Sequence, residues 1–451
     1  MEALEGEQGA LIPPPPESRD EFEALANRRG SNMKRKLSPG WTLALLTGLN
    51  LFNYLDRYVV AAVLVPVQKD LAINDGAAGR INTAFMLGYF LTAPFFGFLG
   101  DRASRRWLIA LGIFVWSLGT MLTGFASGFA MLLCFRVLVG VGEASYATIS
   151  PGVISDSFGP ARRNNALTIF YVAIPVGAAL GYVLGGEVAA HFGWRHAFVW
   201  AGLPGLLLAL ALLPFREPDR GQAEGGGVAP GARTRLADVF GILRLADFHL
   251  IVWGYVAYTF ALGAFGFWGP NYLHRIHGVA NEKAATFFGI VTAIAGLVGT
   301  FAGGFAATAW RKRNPAAYAF TLGLATLAAV PVAVIAFVTT NTPLSMGCLV
   351  LAMLLLFLPT GPVNTLILET VPANLRSSAM AISIFMIHLF GDLRSSEIVG
   401  RLSDHWGSLQ KAVLILPGAL LVGGLLWLAL ALKTRRACRQ PAVDESARTT
   451  G

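Results

Sequence analysis

The sequence predicts an all-α membrane protein with twelve transmembrane helices in two parallel six-helix repeats. Three observations carry that expectation. Of 451 residues, 55% are hydrophobic and only 14% charged, where soluble domains average about 25% charged; mean hydropathy is +0.58. Apolar runs of about 20 residues, each long enough to cross roughly 30 Å of hydrocarbon, recur along the whole chain, whereas a β-barrel would show short alternating segments. The second half also repeats the first, in the same order and direction.

Residues 1–40, including "IPPPPESRDEFEALANRRG", are Pro-rich and charged and contain no apolar signal-peptide core. They read as a disordered cytoplasmic tail. Spans are expected at about 41–66, 79–99, 106–126, 129–155, 164–190 and 195–214, which form an N-terminal bundle over 41–214. The stretch 215–247, "FREPDRGQAEGGGVAPGARTRLADVFGILRLAD", is polar, Gly-rich and basic, and reads as a cytoplasmic linker. The remaining spans are expected at about 248–273, 284–309, 316–338, 343–370, 375–402 and 409–433, a C-terminal bundle over 248–433 followed by a cytoplasmic tail at 434–451.

The net charge of +9 reports topology. With the N-terminus inside, 25 Lys and Arg fall on cytoplasmic segments and seven on outer ones, and three (Arg57, Arg136, Arg394) fall within spans. This positive-inside bias places both termini in the cytoplasm and argues against a nucleic-acid partner. Three cysteines make no disulfide framework. No nucleotide-binding loop, metal-ligand cluster or nucleophile-with-base set is present, so no enzyme, cofactor or metal is expected.

The duplication rests on three matches in register. "SDSFGPARRNNA" (155–166) aligns with "LETVPANLRSSA" (368–379), "GEVAAHFGW" (186–194) with "GRLSDHWGS" (400–408) at an offset of 214, and "GFLGDRASRR" (97–106) with "GGFAATAWRK" (303–312) at an offset of 206. Two six-helix halves about a pseudo-two-fold axis along the membrane normal is the arrangement of major facilitator transporters. Such a build puts the substrate site at mid-depth between halves that rock.

Charges inside the spans mark the candidate site. A charge at mid-bilayer costs roughly 2.5–3.5 kcal/mol on insertion scales. Yet "NYLDR" (53–57) carries Asp56 and Arg57, and "FRVLVGVGEASYATISP" (135–151) carries Arg136 and Glu143. Counting helical rise places all four at one level of spans 1 and 4, so the expected arrangement is an Arg57–Glu143 pair with Asp56 near Arg136. Burial raises a carboxylate's pKa and a neighbouring guanidinium lowers it, so such a carboxylate can titrate near neutrality. Its protonation would free the arginine for an anionic headgroup. Gly140, Gly142, Gly177, Gly181 and Gly185 read first as helix-packing positions.

In the loop between spans 2 and 3, "GFLGDRASRR" supplies a cytoplasmic latch. Gly97, Asp101, Arg102, Arg105 and Arg106 match the major facilitator loop signature, with Ser104 where glycine is usual. Asp101 can sit against the positive N-terminus of a helix from the other half, and Arg105 can bridge to Asp156. Ala307 replaces the aspartate in the second copy, so a one-sided latch is expected.

Beyond the superfamily, the chain resembles the Spinster family of lysolipid and sphingolipid transporters through "NYLDR" (53–57), "RVLVGVGEASYATISP" (136–151), "IFYVAIPVGAALGY" (169–182), "GAFGFWGPNYL" (263–273) and "HLFGD" (388–392). The resemblance implies that Asp56, Arg57, Arg136 and Glu143 serve proton coupling and substrate. It also implies an amphipathic lipid with one charged headgroup and one acyl chain, and a role for Asp392 in span 11. Trp268, Asn271 and His388 are the further candidates for the C-terminal side of the cavity. The sequence departs from the family at "GDLRSSEIVG", where Arg394 and Glu397, an expected i,i+3 pair, replace small residues and proline. The reading is a proton-coupled lipid transporter working by alternating access, a monomer in the plasma (inner) membrane in contact with membrane lipids. A proton/drug antiporter of the same fold and a scramblase or non-transporting receptor remain alternatives; the two arginines Arg57 and Arg136 favour an anionic or zwitterionic headgroup over a drug cation.

Overall fold

The computed structural model describes residues 38–158, 160–212, 241–371 and 376–437. Residues 1–37 and 438–451 of the two expected tails, with the thiol Cys438, and most of the linker lie outside these residues. Helices occupy all twelve expected spans. Span 1 is Pro39–Ala62 continued by Leu64–Leu71; spans 2 to 6 are Asp75–Arg102, Arg105–Thr123, Phe129–Ser157, Pro160–Phe192 and Trp194–Leu212. Spans 7 to 9 are Ala246–His277, Asn281–Arg311 and Ala317–Val338; span 10 is Thr342–Phe357 continued by Thr360–Glu369. Span 11 runs Arg376–Met386, a π-helical turn Ile387–Asp392 and Leu393–Trp406; span 12 is Leu409–Val413 and Ile415–Ala437.

Local chemistry sets the ends. Ser38 accepts from the Trp41 N–H at 3.3 Å ahead of Pro39, Asn74 from the Ala77 N–H at 2.9 Å, and Asn341 from the Leu344 N–H at 2.9 Å. Each is a short polar side chain taking an orphan first-turn donor. Spans 7 and 11 stop at Gly278 and Gly407, with φ of 66° and 62°, the left-handed conformation glycine adopts without a Cβ clash. Among the described residues, eight helices are long and apolar enough to cross a membrane. Spans 1, 2, 6 and 11 fall outside that group; the first and last of these each carry a buried acid, Asp56 and Glu397, and a break in the helix.

The duplication is visible in the packing. Span 1 lies on span 5, span 2 on span 4, and span 3 on spans 4 and 6; in the second half span 7 lies on span 11, span 8 on span 10, and span 9 on spans 10 and 12. Close approach depends on the glycines. A Cβ at Gly177 or Gly181 would strike the carbonyls of Leu51 or Leu55, one at Gly140 the Phe85 carbonyl, and one at Gly142 the Gly112 carbonyl at 2.5 Å. The halves meet through span 2 on span 11 and span 5 on span 8.

Candidate functional site

Span 1 delivers Asn53, Tyr54, Asp56, Arg57 and Tyr58 to mid-depth. Arg57 Nη2 donates to Glu143 Oε2 at 2.8 Å, with Glu143 fully buried and the Arg57 side chain 21% exposed. The guanidinium lies over the rings of Tyr54 and Phe85, each at 4.9 Å, and of Tyr89 at 5.5 Å. Aromatic faces attract a cation and shed little hydration in doing so, so Arg57 is held by an acid on one side and rings on others while keeping one edge open.

The expected nearness of Asp56 and Arg136 involves no bond between them. Neighbouring residues point about 100° apart around a helix, and Asp56 turns toward span 3, where Thr120 Oγ1 donates to its Oδ2 at 3.3 Å. Arg136, 1% exposed, lays its guanidinium over the Phe85 ring at 5.1 Å. Asp56 Oδ1, Glu143 Oε1, and Nε and Nη1 of Arg136 are buried without a hydrogen-bond partner. The four charges therefore share a neighbourhood and contain one ion pair.

Across from Arg57, His388 Nδ1 lies 3.0 Å from Asp392 Oδ1, with side chains 25% and 24% exposed. The His388 ring meets Tyr89 edge-on at 6.2 Å. Half-buried polar side chains from spans 1, 2 and 11 thus face a shared chamber, and Arg57, Tyr89, His388 and Asp392 cross it from one half to the other. The π turn widens span 11 here, and Gly391 lets Thr259 of span 7 approach; a Cβ would collide with that hydroxyl.

Trp268 and Asn271 are placed elsewhere. Trp268 is 1% exposed, its Nε1 donating to the Ser396 carbonyl at 2.9 Å, and Asn271 is fully buried, its Nδ2 donating to Gln68 Oε1 at 2.8 Å. Both are spent on helix contacts. The Arg394–Glu397 pair does not form either. Glu397 takes Arg401 one turn on, at 2.5 Å, because it points toward span 2 whereas Arg394 is exposed.

Asn271 belongs to a cluster that seals the end of the bundle away from Pro39 and Ala437. Asp75 accepts from Gln68 Nε2 at 2.7 Å, from Arg275 Nη1 at 2.7 and 2.8 Å, and from Ser403 Oγ at 2.5 Å. Asp404 accepts from the backbone N–H groups of Asp75 and Gly76 at 3.0 and 2.7 Å, and Asn281 Nδ2 donates to the Ala62 carbonyl at 2.8 Å. Apart from the Gln68–Asp75 bond, these join the two halves. Toward the opposite end the halves stay in touch as far as Phe90 against Phe385, ring centroids 4.9 Å apart, and Gly296 against Pro175. Beyond that level Leu91 and Phe95 are 64% and 59% exposed. The halves are thus joined from the far end to the level of Phe90 and Pro175. Sequence reading missed this seal; an acid opening span 2 and an arginine closing span 7 at one level were its only trace.

Of the latch residues, Arg105 Nη1 bonds Asp156 Oδ2 at 2.6 Å, Arg106 lies over the Trp107 ring at 5.2 Å and Gly97 packs near Thr148. The side chains of Asp101 and Arg102 lie outside the described residues. The arginine–acid pair is not one-sided: Arg311, equivalent to Arg105 in the repeat, bonds Glu369, equivalent to Asp156, at 3.2 Å.

Comparison with known proteins gives matching results. The Major Facilitator Superfamily profile matches residues 46–391. The chain is 35% identical over 378 residues to Protein spinster of Drosophila melanogaster, an alignment covering 81% of this chain and 62% of that protein's length. It is 32% identical over 414 residues to the sphingosine-1-phosphate transporter SPNS2 of Danio rerio, covering 85% and 82%. A crystal structure of a bacterial homolog to the human lysosomal transporter Spinster, inward-facing and unoccupied, superposes with a TM-score of 0.77 at 24% identity, covering 89% of this chain and 97% of that one. At that identity the superposition speaks for the fold.

Proposed function

The chain belongs to the major facilitator superfamily and, within it, to the Spinster family, and we propose that it carries a lysolipid- or sphingolipid-like amphiphile across a membrane by alternating access coupled to protons. It is an integral multi-pass membrane protein and a transporter, not an enzyme. The single observation that carries the reading is the Arg57–Glu143 bridge, buried on its acidic side and open to the chamber on its basic side.

The chemistry follows from that asymmetry. A guanidinium offers five donors in a planar fork, and only Nη2 of Arg57 is engaged by Glu143. An anionic headgroup entering the chamber competes with Glu143 for Arg57. A proton on Glu143 removes the competitor, so headgroup and proton enter the same half together or displace one another. Arginine keeps its charge, which leaves Glu143 and Asp56 as the proton carriers, and each has a buried oxygen with no donor, which a bound proton satisfies by turning carboxylate into hydroxyl. The rings of Tyr54, Phe85 and Tyr89 suit the apolar part adjoining a headgroup. The cytoplasmic placement of both termini, a plasma (inner) membrane location and a monomeric unit belong to the same proposal.

The test is uptake into proteoliposomes. Wild-type protein should take up a fluorescent lysophospholipid faster with an imposed pH gradient than without. Glu143→Gln and Asp56→Asn should each abolish the difference while the proteins remain monodisperse. Gradient-dependent uptake surviving in both variants would refute the coupling.

A further inference from the structure

The two charges by which span 11 departs from its family occupy a surface that the transport reading leaves unused. Arg394 stands two residues past Asp392, roughly 160° away around the helix. Asp392 looks into the chamber, so Arg394 looks out of the bundle. Its surroundings agree: Phe390 and Ile398, one turn either side, are 52% and 38% exposed, and the Phe390 ring packs tilted against Trp253, itself 39% exposed, at 5.3 Å. Arg394 is exposed and makes no ion pair or hydrogen bond to any described residue. By helical rise it lies about 18 Å from the end of span 11 at Trp406, inside the hydrocarbon of a bilayer about 30 Å thick. A guanidinium there, facing acyl chains with no counter-charge, is expensive unless something supplies one.

The neighbouring charges say what fits. Arg401, two turns on and about 10 Å along the axis, shares this face with its side chain 65% exposed, and Glu397 between them is 6% exposed and bonded to Arg401. The trio carries one net positive charge. Both arginine side chains can lean along the helix toward the level between them, the depth an arginine reaches by snorkelling. A monoanionic phosphodiester at that level would neutralise the trio and offer oxygens to both forks.

We infer that the outer flank of span 11 at Arg394 and Arg401 is a binding site for one anionic membrane phospholipid, held by its phosphodiester and distinct from the chamber where transported lipid binds. The lipid stands with its acyl chains against Phe390 and Ile398 and its headgroup drawn inward from the ordinary interface.

Native mass spectrometry of the full chain, purified in mild detergent and titrated with phosphatidylglycerol or phosphatidylcholine, tests this. Wild-type protein should retain one phosphatidylglycerol in preference to phosphatidylcholine. Arg394→Leu should weaken that retention by roughly fivefold or more, the effect of about one lost cationic contact to an anionic lipid, and Arg394→Lys should keep most of it. Arg394→Gln is read in the same way should the leucine variant fold poorly. Thermal stabilisation by a lysophospholipid, the chamber probe, should persist in Arg394→Leu and vanish in Arg57→Ala. Unchanged phosphatidylglycerol retention in Arg394→Leu and Arg394→Gln would overturn the site. So would a lipid-free dimer that Arg394→Leu dissolves, since a second copy would then be what covers the arginine.

Discussion

Removing the charge of Asp75 should unseal the far end of the transporter. In Asp75→Asn, one acceptor oxygen survives, but the new amide N–H groups face donors on Arg275 or Ser403. The carboxylate now takes four hydrogen bonds, two of them from Arg275. Breaking a buried ion pair from one side costs about 3–5 kcal/mol. Here Arg275 is 38% exposed and Asp75 only 8%, so water re-solvates much of the guanidinium and the loss is nearer that of one charge-assisted bond, about 2 kcal/mol. That energy exists only while the halves are in contact, so it appears wholly in the balance between far-closed and far-open states. A change of about 2 kcal/mol is roughly thirtyfold in their ratio. Spin labels on cysteines at Ala72 and Lys411, one on each half of that end, report the balance by pulsed dipolar spectroscopy in nanodiscs. Wild-type protein should give a dominant short distance, and Asp75→Asn a long-distance population raised by about that factor. Identical distance distributions would refute the assignment of the Asp75 cluster as the seal.

Other expectations concern the chamber, the packing and the opposite end. Arg57→Lys keeps the charge but loses the planar stacking on Tyr54, Phe85 and Tyr89, so lysolipid affinity should fall about tenfold in a direct binding assay; unchanged affinity would remove the rings from the site. Gly140→Ala pushes a methyl into the Phe85 carbonyl and to 2.8 Å from the Tyr89 nitrogen. Such overpacking costs about 1–3 kcal/mol, and the melting temperature should drop measurably while the affinity of any correctly folded fraction is kept. Arg105→Ala cuts the 2.6 Å bond to Asp156 and should speed alkylation of a cysteine at Phe95; the double variant with Arg311→Ala should speed it further if the two copies act alike, and unaltered rates would leave both pairs as loop braces.

Legibility in the sequence tracked the range of the interaction. The spans were readable because hydropathy over about 20 residues is a local sum, and the repeat because offsets of 206 and 214 survive in short motifs. Arg57–Glu143 was readable because two buried charges at one depth have few other places to go. That Asp56 and Arg136 lie near one another without a bond is set by rotation about the helix, which rise per residue does not fix: Thr120 and the Phe85 ring, both distant in sequence, decide where those side chains turn. The recurrence of the arginine–acid pair is legible as well, since the alignments that set Asp156 on Glu369 and "GFLGDRASRR" on "GGFAATAWRK" also set Arg105 on Arg311; Ala307 bears only on the aspartate position, and the Asp101 side chain lies outside the described residues. Trp268 and Asn271 lie on a helix with several polar and aromatic positions, and only the neighbour on span 11 or span 1 tells which of these face the chamber. The far-end seal escaped because its members are ordinary loop-flanking residues until the fold brings them within 3 Å.

The composition of that seal bears on how the molecule can move. Contacts inside each half are backbone against backbone at glycines, as between Gly181 and the Leu55 carbonyl or Gly142 and Gly112; parting them would expose apolar helix faces with no replacement partner. The halves also touch closely at Gly79 and Gly400 and, along spans 5 and 8, through apolar contacts such as Gly289 against the Ala179 carbonyl and Tyr182 against Phe288; at the far end the joining groups are Asp75, Arg275, Ser403, Asp404, Gln68 and Asn281. When such groups separate into water, each exchanges a protein partner for a solvent one at a net cost of about 0.5–1.5 kcal/mol. An apolar seal would lose about 25 cal/mol for every Å² exposed, with nothing returned. In the proposed cycle this polar far-end seal would open at a cost that a bound headgroup and a proton could offset, while the glycine seams would keep each six-helix bundle rigid as it rocks. Substituting Ser403 and Gln68 by apolar residues of similar size should accordingly slow transport more than it lowers the melting temperature. A variant that melted early yet transported at the wild-type rate would break this division between seams and seal.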